Sequence, residues 1–204
     1  NIYRVNGQTK LFPTPTELTT LLPIINGAAV SVITYPYGQT ITGYTHVIDR
    51  VTKVHTCASV FADKYRIHGA QGNEAIGLDI DWVGTTETEG ASGSFASTAI
   101  DVATKPWYYA QSVLSIAGST FTPQSWEIEV NHNIDKDRFF NSSTLSTGTN
   151  ATDREFTFSC VLPYGDSAAV YTTHSAAAGV QIIVTITNGV YIWTITMVKV
   201  ALAA

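Results

Sequence analysis

The stretch Gly77-Leu78-Asp79-Ile80-Asp81-Trp82-Val83 alternates apolar and acidic side chains with a period of two. Successive side chains of a β-strand point to opposite faces, so Leu78, Ile80 and Trp82 share an apolar face while Asp79 and Asp81 share a wet one. Trp126-Glu127-Ile128-Glu129-Val130 repeats the pattern, setting Trp126, Ile128 and Val130 against Glu127 and Glu129. Strands with one core face and one polar face belong to antiparallel sheets packed on one side only.

Working outward, Lys64 to His68 and Ala75 to Val83 predict antiparallel strands joined by the turn Gly69-Ala70-Gln71-Gly72-Asn73. Ser112 to Ile116 and Ser125 to Val130 read as a second hairpin across Gly118 and Ser119, and Glu155 to Pro163 as a strand. Gly179 to Thr187 and Val190 to Val200 flank Asn188-Gly189, the strongest hairpin signal in the chain. Threonine is about one residue in seven, which with Val, Ile and the aromatics favours strands. Two helices are expected. One runs from Thr14-Pro15-Thr16-Glu17-Leu18 to Leu22 before Pro23, capped by Thr14 or Thr16; the other runs from Asp166 to Ala178, capped by Asp166 or Ser167 and ended by Gly179. Gly27 to Ser31 and Tyr35 to Gly43 suggest a strand pair or extended arm, making residues 1–50 a region of N-terminal arm and strands. Residues 84–104 and 141–152 read as long loops. No linker divides these segments. The expected fold is mainly β, with antiparallel strands in a single domain, 1–204, and long loops.

The chain has 204 residues, enough for a core that makes a disulfide framework unnecessary. Charged residues are 13% of it, about half the roughly 25% usual for soluble domains, so its surface is largely uncharged or largely covered. The formal net charge of −5 argues against a basic nucleic-acid-binding face or a polybasic membrane anchor. No apolar run approaches 18 residues, and the first ten lack the regions of a secretory signal, with upstream processing left open. Cys57 and Cys160 are too few and too far apart in sequence to form a metal motif, and read as small core residues.

Enzymatic readings find little support. Ile76 to Val83 resembles the catalytic strand of chitinase-like glycosidases, Asp-Gly-x-Asp-x-Asp-Trp-Glu. But Val83 stands where the proton-donating Glu belongs, Ile76 replaces the first Asp, and the chain is too short and too poor in helices for the barrel. His46, His55, His68, His132 and His174 form no close metal-binding pair, and no glycine-rich phosphate loop is present. Asn141-Ser142-Ser143 and Asn150-Ala151-Thr152 match a glycosylation pattern that arises readily by chance in such a chain. Trp107, Tyr108 and Tyr109 offer a second class of function. Exposed, they would stack on sugar rings in a monomeric carbohydrate-binding or adhesin module; as core or interface residues, they would not.

From about residue 50 to 200 the order of segments resembles the major tail tube proteins of long-tailed, siphovirus-like bacteriophages. The resemblance rests on Lys64 to Gly84; on Lys105-Pro106-Trp107 leading into Ala117-Gly118 and Gln124 to Val130; on Asn131-His132-Asn133-Ile134-Asp135; and on Asp153-Arg154-Glu155-Phe156 through Leu162-Pro163-Tyr164. It implies an antiparallel β-sandwich or barrel subunit with one flanking α-helix, whose sheets join between subunits into a ring barrel, and a non-enzymatic virion protein, without cofactors, assembled in the bacterial cytoplasm. Its partners would be further copies of itself in stacked hexameric rings, a tape measure protein, and tail-tip and terminator proteins. DNA would pass through the lumen without specific binding, and no membrane anchor is implied. On this view Asp79, Asp81, Glu127 and Glu129 line the lumen, where six copies would bring −30 per ring and repel phosphate. The loops would supply contacts between rings, with Glu87, Glu89, Ser92, Ser94, Asn141 and Asn150 as candidates.

Overall fold

The computed structural model describes residues 5–26, 43–50, 52–72, 74–84, 86–91, 104–134, 154–166, 170 and 179–201. The strand pair or arm expected between Gly27 and Gly43 lies, apart from Gly43, outside the described residues, as does the whole of the expected loop 141–152.

Two antiparallel sheets bury their apolar faces against each other as a β-sandwich. The first has the order β1 (Val5–Leu11), β4 (Gly77–Gly84), β3 (Lys53–Ala70), β8 (Ser125–Asn131), β9 (Glu155–Val161). The second has the order β11 (Tyr191–Val200), β10 (Val180–Asn188), β6 (Ser112–Ile116), β7 (Ser119–Phe121). Leu78, Ile80 and Trp82 of β4 and Trp126, Ile128 and Val130 of β8 are all buried, as the alternation predicts. They meet Leu114 and Ile116 of β6 and Ile182, Val184 and Ile186 of β10 in one continuous core. Neither sheet closes on itself.

Strand β3 is far longer than Lys64 to His68. Its second half pairs with β4 and β8, and its first half pairs with β2 (Tyr44–Asp49) and β5 (Thr86–Ala91), forming a three-stranded blade. The change from β2 to β4 falls between Val60 and Phe61, and the β3–β4 register then shifts between Ala62 and Lys64, around Asp63. The bulge turns Asp63 inward, and its carboxylate accepts the Ile134 backbone N–H at 3.2 Å. Strand β5 corrects the expectation of a loop over the whole of 84–104. Its Thr- and Glu-rich sequence lacks the apolar alternation of a half-buried strand because the strand is exposed and held by its ladder with β3.

The hairpin expected between Ser112 to Ile116 and Ser125 to Val130 does not form. Strand β6 turns back at Ala117-Gly118 into the three-residue β7, and the chain then crosses to the other sheet, where β8 pairs with β3 and β9. Ala117 and Gly118 both have positive φ, 51° and 83°, the signature of a two-residue I′ hairpin. At the last hairpin, Asn188 is still paired with Tyr191, and Gly189, at φ 60°, opens the turn.

Trp107 and Tyr109 are buried, which removes the exposed aromatic platform that sugar binding would need. Tyr109 donates its hydroxyl to the Pro123 carbonyl, and its ring fills the space beside Gly69, where a Cβ would lie 3.0 Å from it. The Ile76 N–H bonds the Trp107 carbonyl at 2.8 Å, and Asn188 Nδ2 donates to the Lys105 carbonyl at 2.9 Å. The segment 105–109 thus ties the β3–β4 connection to the β10–β11 turn.

Helix α1 (Pro15–Asn26) begins with a capping box. The Thr14 hydroxyl accepts the Glu17 N–H at 3.3 Å, and the Glu17 carboxylate accepts the Thr14 N–H at 2.9 Å. The helix does not stop before Pro23, as the sequence suggested, but runs three residues past it. Burial of Ile25 favours continuation, and the Ile25 carbonyl accepts the Nε2–H of His132 at 2.9 Å. The second expected helix starts earlier than Asp166: residues 164–166 are already helical, so Asp166 lies inside the helix rather than capping it; residue 170 is helical too, and 167–169 and 171–178 lie outside the described residues.

His132 is completely buried, and its Nδ1 has no partner. Protonation would place an unpaired charge in the core, so burial, and secondarily the Arg154 charge, lower its pKa to about 4; the Ile25 bond and Asp63 oppose this. Between the ordinary value of 6.5 and about 4, the folded chain therefore holds fewer protons than the unfolded chain, and falling pH favours unfolding. Urea titrations should show this site removing roughly 3 kcal/mol of stability between pH 7 and pH 4. His132→Gln, which keeps a donor for Ile25 but cannot take the proton, should lose markedly less over the same interval. An unchanged slope would refute the assignment.

Candidate functional site

The polar face of the first sheet is built by register. On β3, Lys64, Arg66 and His68 alternate with the buried Tyr65 and Ile67, so the three basic side chains project away from the core. Arg66 stands opposite Asp79 on β4 and Glu129 on β8; Lys64 stands opposite Asp81 and Asn131; His68 stands opposite Gly77 and Glu127. A cationic column thus lies between two anionic ones. The face continues outward through Gln8 and Lys10 of β1, opposite Asp81 and Asp79, and through Glu155, Thr157 and Ser159 of β9.

The columns are ion-paired. One terminal nitrogen of Arg66 lies 2.6 Å from Asp79 Oδ2, and the other lies 3.5 Å from Glu127 Oε2. Lys64 Nζ is 2.7 Å from Glu129, His68 Nε2 is 3.6 Å from Asp79, and Gln8 donates to Asp81 at 3.0 Å. The hydrogen bond to Asp79 raises the Arg66 pKa; burial opposes this, and the charges of Glu127, Asp79 and Glu129 add to the rise. A Cβ at Gly77 would sit 2.4 Å from His68 Nε2, so the bare glycine gives the imidazole room beside Asp79.

This geometry sharpens the sequence reading. Asp79, Asp81, Glu127 and Glu129 do share one face, but Asp79 is not solvated: its side chain is 11% exposed, against 40% for Arg66. Five carboxylates (Asp79, Asp81, Glu127, Glu129, Glu155) face three permanent cations (Lys10, Lys64, Arg66), a formal −2 with His68 neutral. Sequence reasoning missed the bases, although Lys64-Tyr65-Arg66-Ile67-His68 alternates as regularly as the acidic strands.

The outer face of the second sheet is different in kind. Ile192, Thr194 and Thr196 of β11, Ile183, Thr185 and Thr187 of β10, and Val113 and Ser115 of β6 lie on it by register. The four strands of that sheet carry one charged residue, Lys199. The scarcity of charge across the chain is therefore uneven: one sheet is nearly bare of it and the other is ordered by it.

On the blade, Glu87 pairs with His55 at 2.5 Å, and Glu89 pairs with Lys53. Ser92, Ser94, Asn141 and Asn150 lie outside the described residues, as does His174. Burial depresses the pKa of His46, whose ring meets Trp82 edge-on at 4.5 Å. Cys57 and Cys160 are free thiols, both with pKa raised by burial. Among the described residues no His, Cys, Asp or Glu cluster could hold a metal ion, and no helix is long and apolar enough to cross a membrane.

Compared with known proteins, residues 6–195 match the model of a family described as phage tail tube protein. No curated protein matches the chain.

Removing Arg66 leaves the nearly buried Asp79 carboxylate without its principal partner, whereas the Lys64–Glu129 pair is about one-third exposed and screened. Arg66→Met should therefore cost about 1–2 kcal/mol in urea denaturation, and Lys64→Met less than about 1 kcal/mol. Equal losses would contradict a face organised around Arg66.

Proposed function

The chain belongs to the phage tail tube protein family, and from that premise we propose that six copies close into a ring, that rings stack into the tail tube, and that the charged face of the first sheet lines the lumen through which DNA passes. Membership makes the chain a structural tail protein and a component of the virion. The finer reading rests on one observation above all. The first sheet gathers its charges on the side away from the core and ends in two strands, β1 and β9, whose outer edges pair with nothing among the described residues.

Unpaired edges are aggregation hazards in a monomer, and joining them between copies satisfies their backbone groups. Five strands alternating in direction leave β1 and β9 running the same way, so cyclically related copies would join them as a parallel pair. Phe156 and Val161, about half exposed on β9, would be covered at that junction. A wall with a modest negative balance and few available cations gives phosphates little to grip. A tape measure protein would occupy the same lumen before DNA does, and tip and terminator proteins would cap the two ends.

The blade and the residues that follow it are the proposed contact between stacked rings. Glu87 and Glu89 enter this contact already paired with His55 and Lys53, so their share in it is to fix the blade's shape; Ser92, Ser94, Asn141 and Asn150 complete the candidates. Residues 86–91 pair with β3, so a deletion meant to spare the fold must begin after them.

Negative-stain images of the full chain, alone or with a nucleating tail tip, should show tubes whose end-on views have sixfold symmetry. Deleting residues 92–98 should leave a folded subunit that forms none. A wild-type chain that stays monomeric with the tip overturns the assembly reading, and normal tubes from the deletion overturn the stacking assignment.

A further inference from the structure

The arrangement of Arg66 suggests more than a repelling wall. A guanidinium binds phosphate best by presenting two N–H groups side by side to two oxygens. In this chain each terminal nitrogen of Arg66 already faces a carboxylate, Asp79 at 2.6 Å and Glu127 at 3.5 Å, so its charge is neutralised from both sides although some of its five N–H groups stay free. Lys64, two positions along the same strand and roughly 6.7 Å away, is held by Glu129 at 2.7 Å. Arg66 and Lys64 are nevertheless 40% and 37% exposed, so a passing polyanion can reach them.

We propose that the β3 column of Lys64 and Arg66 is a latent binding site for the phosphate backbone of duplex DNA, and that Asp79, Glu127 and Glu129 keep it closed by neutralising its charge. The face carries three permanent cations against five carboxylates, a formal −2 and too small a balance for bare repulsion alone to keep exposed cations from phosphate. Pairing supplies the missing term. A cation already neutralised by a fixed carboxylate displaces no counterion from DNA, so it adds nothing to the salt-dependent affinity that dominates non-specific binding. To bind Arg66 side-on, a phosphate would have to approach against two carboxylates fixed by the strands on either side, or displace one of them. The proposal deepens the lumen reading, because a masked cationic column matters where DNA slides past; its chemistry can be measured on the subunit in solution.

The test is retention of duplex DNA by the full chain at 20–200 mM salt, by filter binding or fluorescence anisotropy. Wild type should show no measurable retention. Asp79→Asn combined with Glu127→Gln should raise the affinity at the lowest salt at least about tenfold, with a steeper fall as salt rises. Adding Arg66→Met to that pair should return retention to baseline. Glu127→Gln with Glu129→Gln, both at more exposed positions, serves if the first pair fails to fold. A folded unmasked variant with no gain overturns the proposal. So does a gain that survives Arg66→Met, since it would reflect lost negative charge in general. Failure here leaves the lumen assignment standing, and an assembled tube with this face turned outward would overturn that assignment without touching the solution result.

Discussion

The register of β3 against β4 and β8 is the constraint on which the rest of the molecule depends. Tyr65 and Ile67 face the core while Lys64, Arg66 and His68 face away, and a slip of one residue would exchange the two sets. Such a slip would bury two permanent charges, costing several kcal/mol, and lay Ile67 among carboxylates, costing about 1.5–3 kcal/mol more. Apolar burial and cross-strand ion pairing thus select the same register from opposite faces. The Asp63 bulge shows what happens where the pattern must change. It shifts the register once and anchors Ile134, just beyond the point where β3 exchanges β2 for β4.

Charge is scarce in this chain, and the first sheet gathers eight of its 27 charged residues on one surface. Two anionic columns flank a cationic one, and the second sheet presents threonine, serine, valine and isoleucine instead. This division gives the subunit two unlike walls. A surface that nucleic acid must pass without adhering requires that cations be absent or occupied, and on the first sheet Arg66 and Lys64 are occupied. Masking rather than net repulsion is the physical content of the proposed inner wall.

The core and the polar face were largely legible in the sequence. Strict alternation over Leu78 to Trp82 and Trp126 to Val130 gave both the strands and their buried sides, because a half-buried strand imprints period two on its residues. What was not legible followed from features that leave no such imprint. Strand β7 is three residues long, too short for periodicity, so the hairpin beyond β6 was drawn to the wrong partner. Strand β5 is exposed and has no apolar side to alternate. Helix α1 passes Pro23 because His132, far along the chain, bonds the Ile25 carbonyl, a tertiary contact that no local signal announces. The partnership of Arg66 with Asp79 and Glu127 required strand order as well as strand content: the residues lie 13 and 61 positions apart, and only β3 standing between β4 and β8 brings them together.

A near-atomic cryo-electron-microscopy map of the assembled tube tests the central claim most directly. The account places Arg66 with Asp79 and Glu127 on the wall facing the tube axis, with β9 of each copy beside β1 of the next. A map in which Ile183, Thr185, Thr194 and Thr196 of the second sheet face the axis, with the Arg66 cluster turned to the outside, would contradict it.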